Sequence, residues 1–78
     1  MLELVDPPAT GRRARWYGIH LQPALWEGGV DVVRQWGRIG GRHHPRRLVT
    51  PHPTEGAARA VLPGLLRRRL RRGYVPVR

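Results

Sequence analysis

From Trp16 the chain alternates, with Tyr17, Ile19 and Leu21 on one side of an extended segment and Gly18, His20 and Gln22 on the other. The apolar set is expected to face a core. Pro23 closes the segment, and Glu27-Gly28-Gly29 supplies turn chemistry before a second strand running from Val30 to about Ile39, so the pair reads as a hairpin. The second strand has valines on both faces, as befits a strand covered by a helix on one side and partly shielded on the other. Its alternation puts Arg34, Trp36 and Arg38 on the same side. Gly40-Gly41 then opens a basic loop, Arg42-His43-His44-Pro45-Arg46-Arg47, followed by a short apolar strand from Leu48 to Thr50.

The period changes after Pro51-His52-Pro53. Ala58, Val61, Leu62, Leu65, Leu66 and Leu70 recur at three- and four-residue spacings, the stripe of a helix that lies on the sheet. Thr54 is the expected N-cap, and Glu55 suits the first turn. Pro63 breaks the pattern, since a proline inside a helix costs about 3 kcal/mol, and it predicts a kink or two short helices. Arg67, Arg68, Arg71 and Arg72 project away from the stripe, whereas Arg69 projects with it and must snorkel or find an acidic partner. Gly73 suits the left-handed position that ends many helices. Residues 1–14, with Pro7-Pro8 and Gly11, read as a flexible N-terminal arm in which Leu2, Leu4 and Val5 can pair with a sheet edge. Residues 15–78 read as one α+β domain, a small antiparallel sheet packed against one C-terminal helix that is kinked or split at Pro63.

Composition adds a partner class. Only 78 residues are available to build a core, enough for one modestly stable domain. All 15 basic residues are arginine, against 5 acidic ones, and the formal net charge is +10. Polyanions are the natural partners of such a surface, and the guanidinium fork suits bidentate phosphate contacts and stacking on aromatic faces. Serine, cysteine and lysine are absent, which removes disulfides, thiolate metal sites and the usual nucleophiles, so neither an enzyme nor a cofactor is expected. His43-His44 with His20 or His52 makes a poor zinc site, because adjacent loop histidines point apart and no thiolate assists. No apolar run approaches the roughly 18 to 20 residues that span a bilayer, and Met1 to Leu4 lacks the pattern of a secretory leader. A soluble cytoplasmic protein is expected, nucleoid-associated if its ligand is DNA. The leucine and arginine faces of the helix also fit an interfacial membrane helix, but those leucines are needed for the core.

The chemistry concentrates at Trp36-Gly37-Arg38-Ile39-Gly40. Trp36 offers a flat apolar face that Arg34 and Arg38 flank, and Gly37 leaves no side chain to keep a ribose or phosphate from the backbone. The alternative is a core tryptophan covered by its arginines. Together with the closing Arg72-Gly73-Tyr74, the stretch from about Arg15 to Val75 resembles the WGR domain. That resemblance implies a small antiparallel sheet on a helix, best known within DNA-damage-responsive poly(ADP-ribose) polymerases. In those enzymes the domain binds DNA at a strand break, its motif tryptophan packing on a sugar and its motif arginine contacting DNA and an adjoining domain. It implies those roles for Trp36 and Arg38. The chain departs from many relatives at Gly41-Arg42-His43-His44, where they carry a threonine and Gly-Gln, and at Pro63. Nothing in it resembles a polymerase catalytic domain, so it is similar to the free-standing bacterial WGR proteins. The expected function is non-catalytic binding of DNA ends or nicks, centred on Trp36, Gly37 and Arg38, with Arg34, Arg42, Arg46 and Arg47 in electrostatic support and Tyr74 as a packing residue. A rival reading makes Trp36 a hot spot for a protein partner and the arginines rim charge. RNA presents the same phosphates to these arginines and stands beside DNA as a ligand.

Overall fold

A computed structural model of the chain describes residues 2–6, 15–25, 28–40 and 44–76. Five strands, β1 (Leu2–Asp6), β2 (Arg15–Pro23), β3 (Val30–Arg38), β4 (Arg46–His52) and β5 (Val75–Pro76), form one sheet in the order β4-β3-β2-β1-β5. Every pairing is antiparallel. Two helical segments, α1 (Glu55–Ala60) and α2 (Leu62–Arg71), stand between β4 and β5 in the chain, which makes the class α+β.

The β2/β3 hairpin is the centre of the sheet, and its register sorts the side chains. Tyr17 pairs with Trp36, Ile19 with Arg34 and Leu21 with Val32, so these six residues share the face on which the helices lie. Leu4 joins them opposite Tyr17. The core on this face consists of Leu4, Tyr17, Ile19, Val32, Ala58 and Tyr74, with Leu62, Leu65 and Leu66 packed against it. Val33 is equally buried on the opposite face, where His20 and Val49 are its cross-strand neighbours. Valine on both faces of β3 therefore reflects burial on both.

Three elements differ from the sequence expectation. Leu2–Asp6 is a full strand between β2 and β5, so the pairing open to Leu2, Leu4 and Val5 is realised, and on two sides where one edge was expected. Residues 7–14, the rest of the expected arm, lie outside the described residues. β4 extends over Arg46–His52, beyond the apolar Leu48 to Thr50, because an edge strand tolerates charge and a proline such as Pro51. The two-residue β5 was not anticipated.

The helix termini follow the chemistry of their residues. The Thr54 hydroxyl accepts the Ala57 N–H at 3.1 Å, and Glu55 meets Arg59 at 3.5 Å in an exposed pair that contributes little. α1 and α2 meet at Val61, just ahead of Pro63, which stands in the first turn of α2 where its missing N–H costs least. At the far end Gly73 has φ of 95°. The Gly73 N–H bonds to the Leu70 carbonyl and the Tyr74 N–H to the Arg69 carbonyl, each at 3.1 Å, a Schellman closure that turns Tyr74 into the core. Gly73→Ala is expected to cost about 1–2 kcal/mol, because a Cβ disfavours that backbone region, and thermal unfolding followed by circular dichroism measures it.

Candidate nucleic-acid interface

A groove of about 690 Å³ opens where β2 begins, β3 ends, β4 begins and α2 ends. Its sheet side carries Arg15, Trp36, Arg38 and Arg46, with His44 from the preceding loop. The register explains the grouping. Trp36 stands opposite Arg46 on β4, and Arg38, two residues along β3, stands opposite Arg15 on β2. The helix side carries Arg69, Arg72 and Tyr74.

Trp36 is half-buried and serves both core and groove. It packs against the buried cluster and stacks on Tyr17, with ring centroids 6.3 Å apart and planes 28° from parallel. Tyr74 meets Tyr17 edge-on from the other direction, also at 6.3 Å. Tyr74 is thus the packing residue that its place after the helix suggested. The Arg69 guanidinium lies 4.1 Å above the Tyr17 ring centroid and 5.6 Å from that of Tyr74. An arginine on the apolar stripe has here found aromatic faces, not a carboxylate.

Electrostatically the groove has one sign. Five arginines and no carboxylate line it among the described residues. Arg15 and Arg38 are direct cross-strand partners, an arrangement of like charge that disfavours the empty sheet and that a bound anion relieves.

The expected site residues divide. Trp36, Gly37, Arg38 and Arg46 come together in the groove. Arg34 shares their face but lines a separate cavity of about 190 Å³ beneath the helices, with Val32, Thr50, His52, Val61 and Leu65. Arg47 is on the opposite face of the sheet, where its guanidinium donates to the Gln22 side-chain oxygen at 3.5 Å. Arg42 lies outside the described residues, as does His43 of the histidine pair. Among the described residues no group of three or more His, Cys, Asp or Glu side chains is placed to hold a metal ion. The backbone of Gly37 reaches the groove, but its missing side chain makes room for something else. A Cβ there would sit 3.2 Å from the indole nitrogen of Trp16, its cross-strand partner, and 3.6 Å from Pro45 Cα. Glycine at this position accommodates a tryptophan on one face of the sheet while its backbone borders the groove.

Arg15 was not singled out from the sequence, and the terminal arginines, Arg69 and Arg72 among them, were weaker candidates outside the expected site. The first sits at the start of a strand, and only the β2/β3 register brings it beside Arg38. For Arg69 the signal was its phase with the leucines and the aromatic Tyr17 on the facing strand.

These features define a small α+β domain with an arginine-walled groove floored by tryptophan. The chain matches the profile of the WGR domain family over residues 1–78 and belongs to that family. WGR domains are non-catalytic and generally act as nucleic-acid-binding modules in proteins like the poly(ADP-ribose) polymerases. No curated protein and no solved structure matches the chain. Among the described residues no helix is long and apolar enough to cross a membrane.

Proposed function

We propose that this protein binds duplex DNA at ends or nicks, through sugar and phosphate contacts that carry little sequence preference. The observation that carries the reading is a tryptophan at the floor of a groove whose described lining holds five arginines and no carboxylate. Trp36 packs its indole on a sugar, while Arg38, Arg46 and Arg15 meet the phosphates on either side. Arg34, Arg42 and Arg47 add to the long-range potential that draws a polyanion in. The backbone of Gly37 borders the site, and its lack of a side chain serves Trp16.

Fluorescence anisotropy tests this with an internally labelled blunt or nicked duplex, a closed circular competitor, a single strand and an RNA duplex. With about three phosphates neutralised, affinity is expected to fall about 40-fold between 50 and 200 mM salt. Arg38→Ala is expected to reduce the slope of log affinity against log salt by about one. The circular competitor should compete poorly. A shallow salt dependence would instead mark Trp36 as a contact for a protein partner, and preference for the RNA duplex would overturn the assignment to DNA.

A further inference from the structure

We infer that α2 forms a second binding wall of this site, in which Arg69 and Arg72 hold the backbone of one nucleic-acid strand against the Trp36 wall. The inference rests on the nucleic-acid reading above. Its starting point is the path of Arg69. A solubilising arginine extends its charge into water, but this half-buried one lies over Tyr17 and Tyr74, which are 1% and 6% exposed. The contact with the Tyr17 ring occupies one side of the guanidinium. It leaves the N–H edges, which point along the plane of the group and are the part that grips a phosphate in bidentate fashion. Among the described residues the ion pair is Arg59 with Glu55 on α1, and no carboxylate lines the groove into which Arg69 projects. That contact therefore holds the guanidinium at the groove before any ligand arrives.

Arg72 caps the helix and lines the same groove. A cation at a helix C-terminus is favourable for the helix itself, which explains Arg72 alone but not the inward course of Arg69. Opposite both stand Arg38 and Arg15 on the sheet. At about 690 Å³ the space is that of a cavity for a drug-sized molecule, enough for one or two nucleotides of a single strand. A single strand turns its backbone and its bases outwards to both sides of such a space, which a duplex with its bases paired inside does not. A strand that leaves the duplex can meet both sides of the groove at once, and a terminus or a nick supplies one. The two-walled groove is thus a physical source of end preference.

Arg69→Lys keeps the charge and removes the planar fork, Arg72→Gln removes an exposed charge from the wall, and Arg68→Gln removes an exposed charge from the same helix outside the groove lining. Affinity is measured for an internally labelled duplex with free ends and for the same duplex closed at both ends by hairpin loops, with thermal melting to establish folding. Arg69→Lys and Arg72→Gln are expected to weaken open-ended binding about tenfold each, and Arg68→Gln by less than about twofold. Binding to the closed duplex should be weaker in the wild type and indifferent to Arg69→Lys. If both wall variants bind open ends as the wild type does while Trp36→Ala does not, the second wall is wrong and the nucleic-acid reading stands. If the wild type and Trp36→Ala bind alike, the reading itself fails. Arg72→Gln replaces an exposed side chain, so it decides the question even if Arg69→Lys unfolds.

Discussion

Tyr17→Ala is expected to destabilise the domain by about 3–5 kcal/mol, enough to leave a chain of this size largely unfolded at ambient temperature. Tyr17 is the meeting point of the helix-side core. It is 1% exposed, its ring contacts those of Trp36 and Tyr74, and it carries the Arg69 guanidinium at 4.1 Å. Removing the ring opens a cavity under three neighbours and leaves a half-buried cation without its aromatic seat. A domain with so small a core has little to offset such a loss. Tyr17→Phe keeps the ring and should melt close to the wild type. Urea and thermal unfolding by circular dichroism read both variants, and a Tyr17→Ala transition within a few degrees of the wild type would mean that the aromatic cluster does not hold the sheet and helix together.

The second large effect is on affinity. Trp36→Ala, once shown to be folded, should weaken DNA binding about ten- to hundredfold, as loss of an aromatic packing platform does elsewhere. Some stability is lost too, because Trp36 also packs on the core, but less than at Tyr17, since the indole is only half-buried. Arg47→Ala separates placement from charge. Arg47 has the same charge as Arg46 and stands next to it, yet the strand alternation puts it on the opposite face. Arg46→Ala should therefore cost several times more affinity than Arg47→Ala, whose effect is confined to long-range attraction. Equal losses at the two positions would show that net charge alone drives binding and that the groove has no special role.

Residues that act locally announced themselves in the sequence. The alternation of Tyr17, Ile19 and Leu21, the hydroxyl of Thr54 at the start of the helix and the glycine at position 73 each satisfy a rule that involves only near neighbours, and each behaves as that rule requires. What depends on distant pairing was hidden. β1 is five residues long and precedes two prolines, so its pattern is too short to distinguish a strand from an arm. β5 has two residues and exists only because β1 offers an edge. The site divides in the same way. Trp36 and Arg38 were legible from their motif, and their shared face from the period of a strand. Arg34 lies on that face too, but the course of the helices across the sheet sets it beneath Val61 and Leu65, and no local pattern encodes that course. Arg46 and Arg47 were indistinguishable until the β3/β4 register assigned one to each face.

The position of β1 also governs the order in which the fold can be completed. Its two neighbours are β2, close by in the chain, and β5, which pairs Leu4 with Pro76 and Val5 with Val75 from the opposite end of the domain. During synthesis β2, β3 and β4 have all their strand partners well before residue 75 leaves the ribosome, but the outer edge of β1 stays open until then. The slow step of folding should therefore be this long-range closure, so a chain cut before Val75 should retain the hairpin and lose cooperativity.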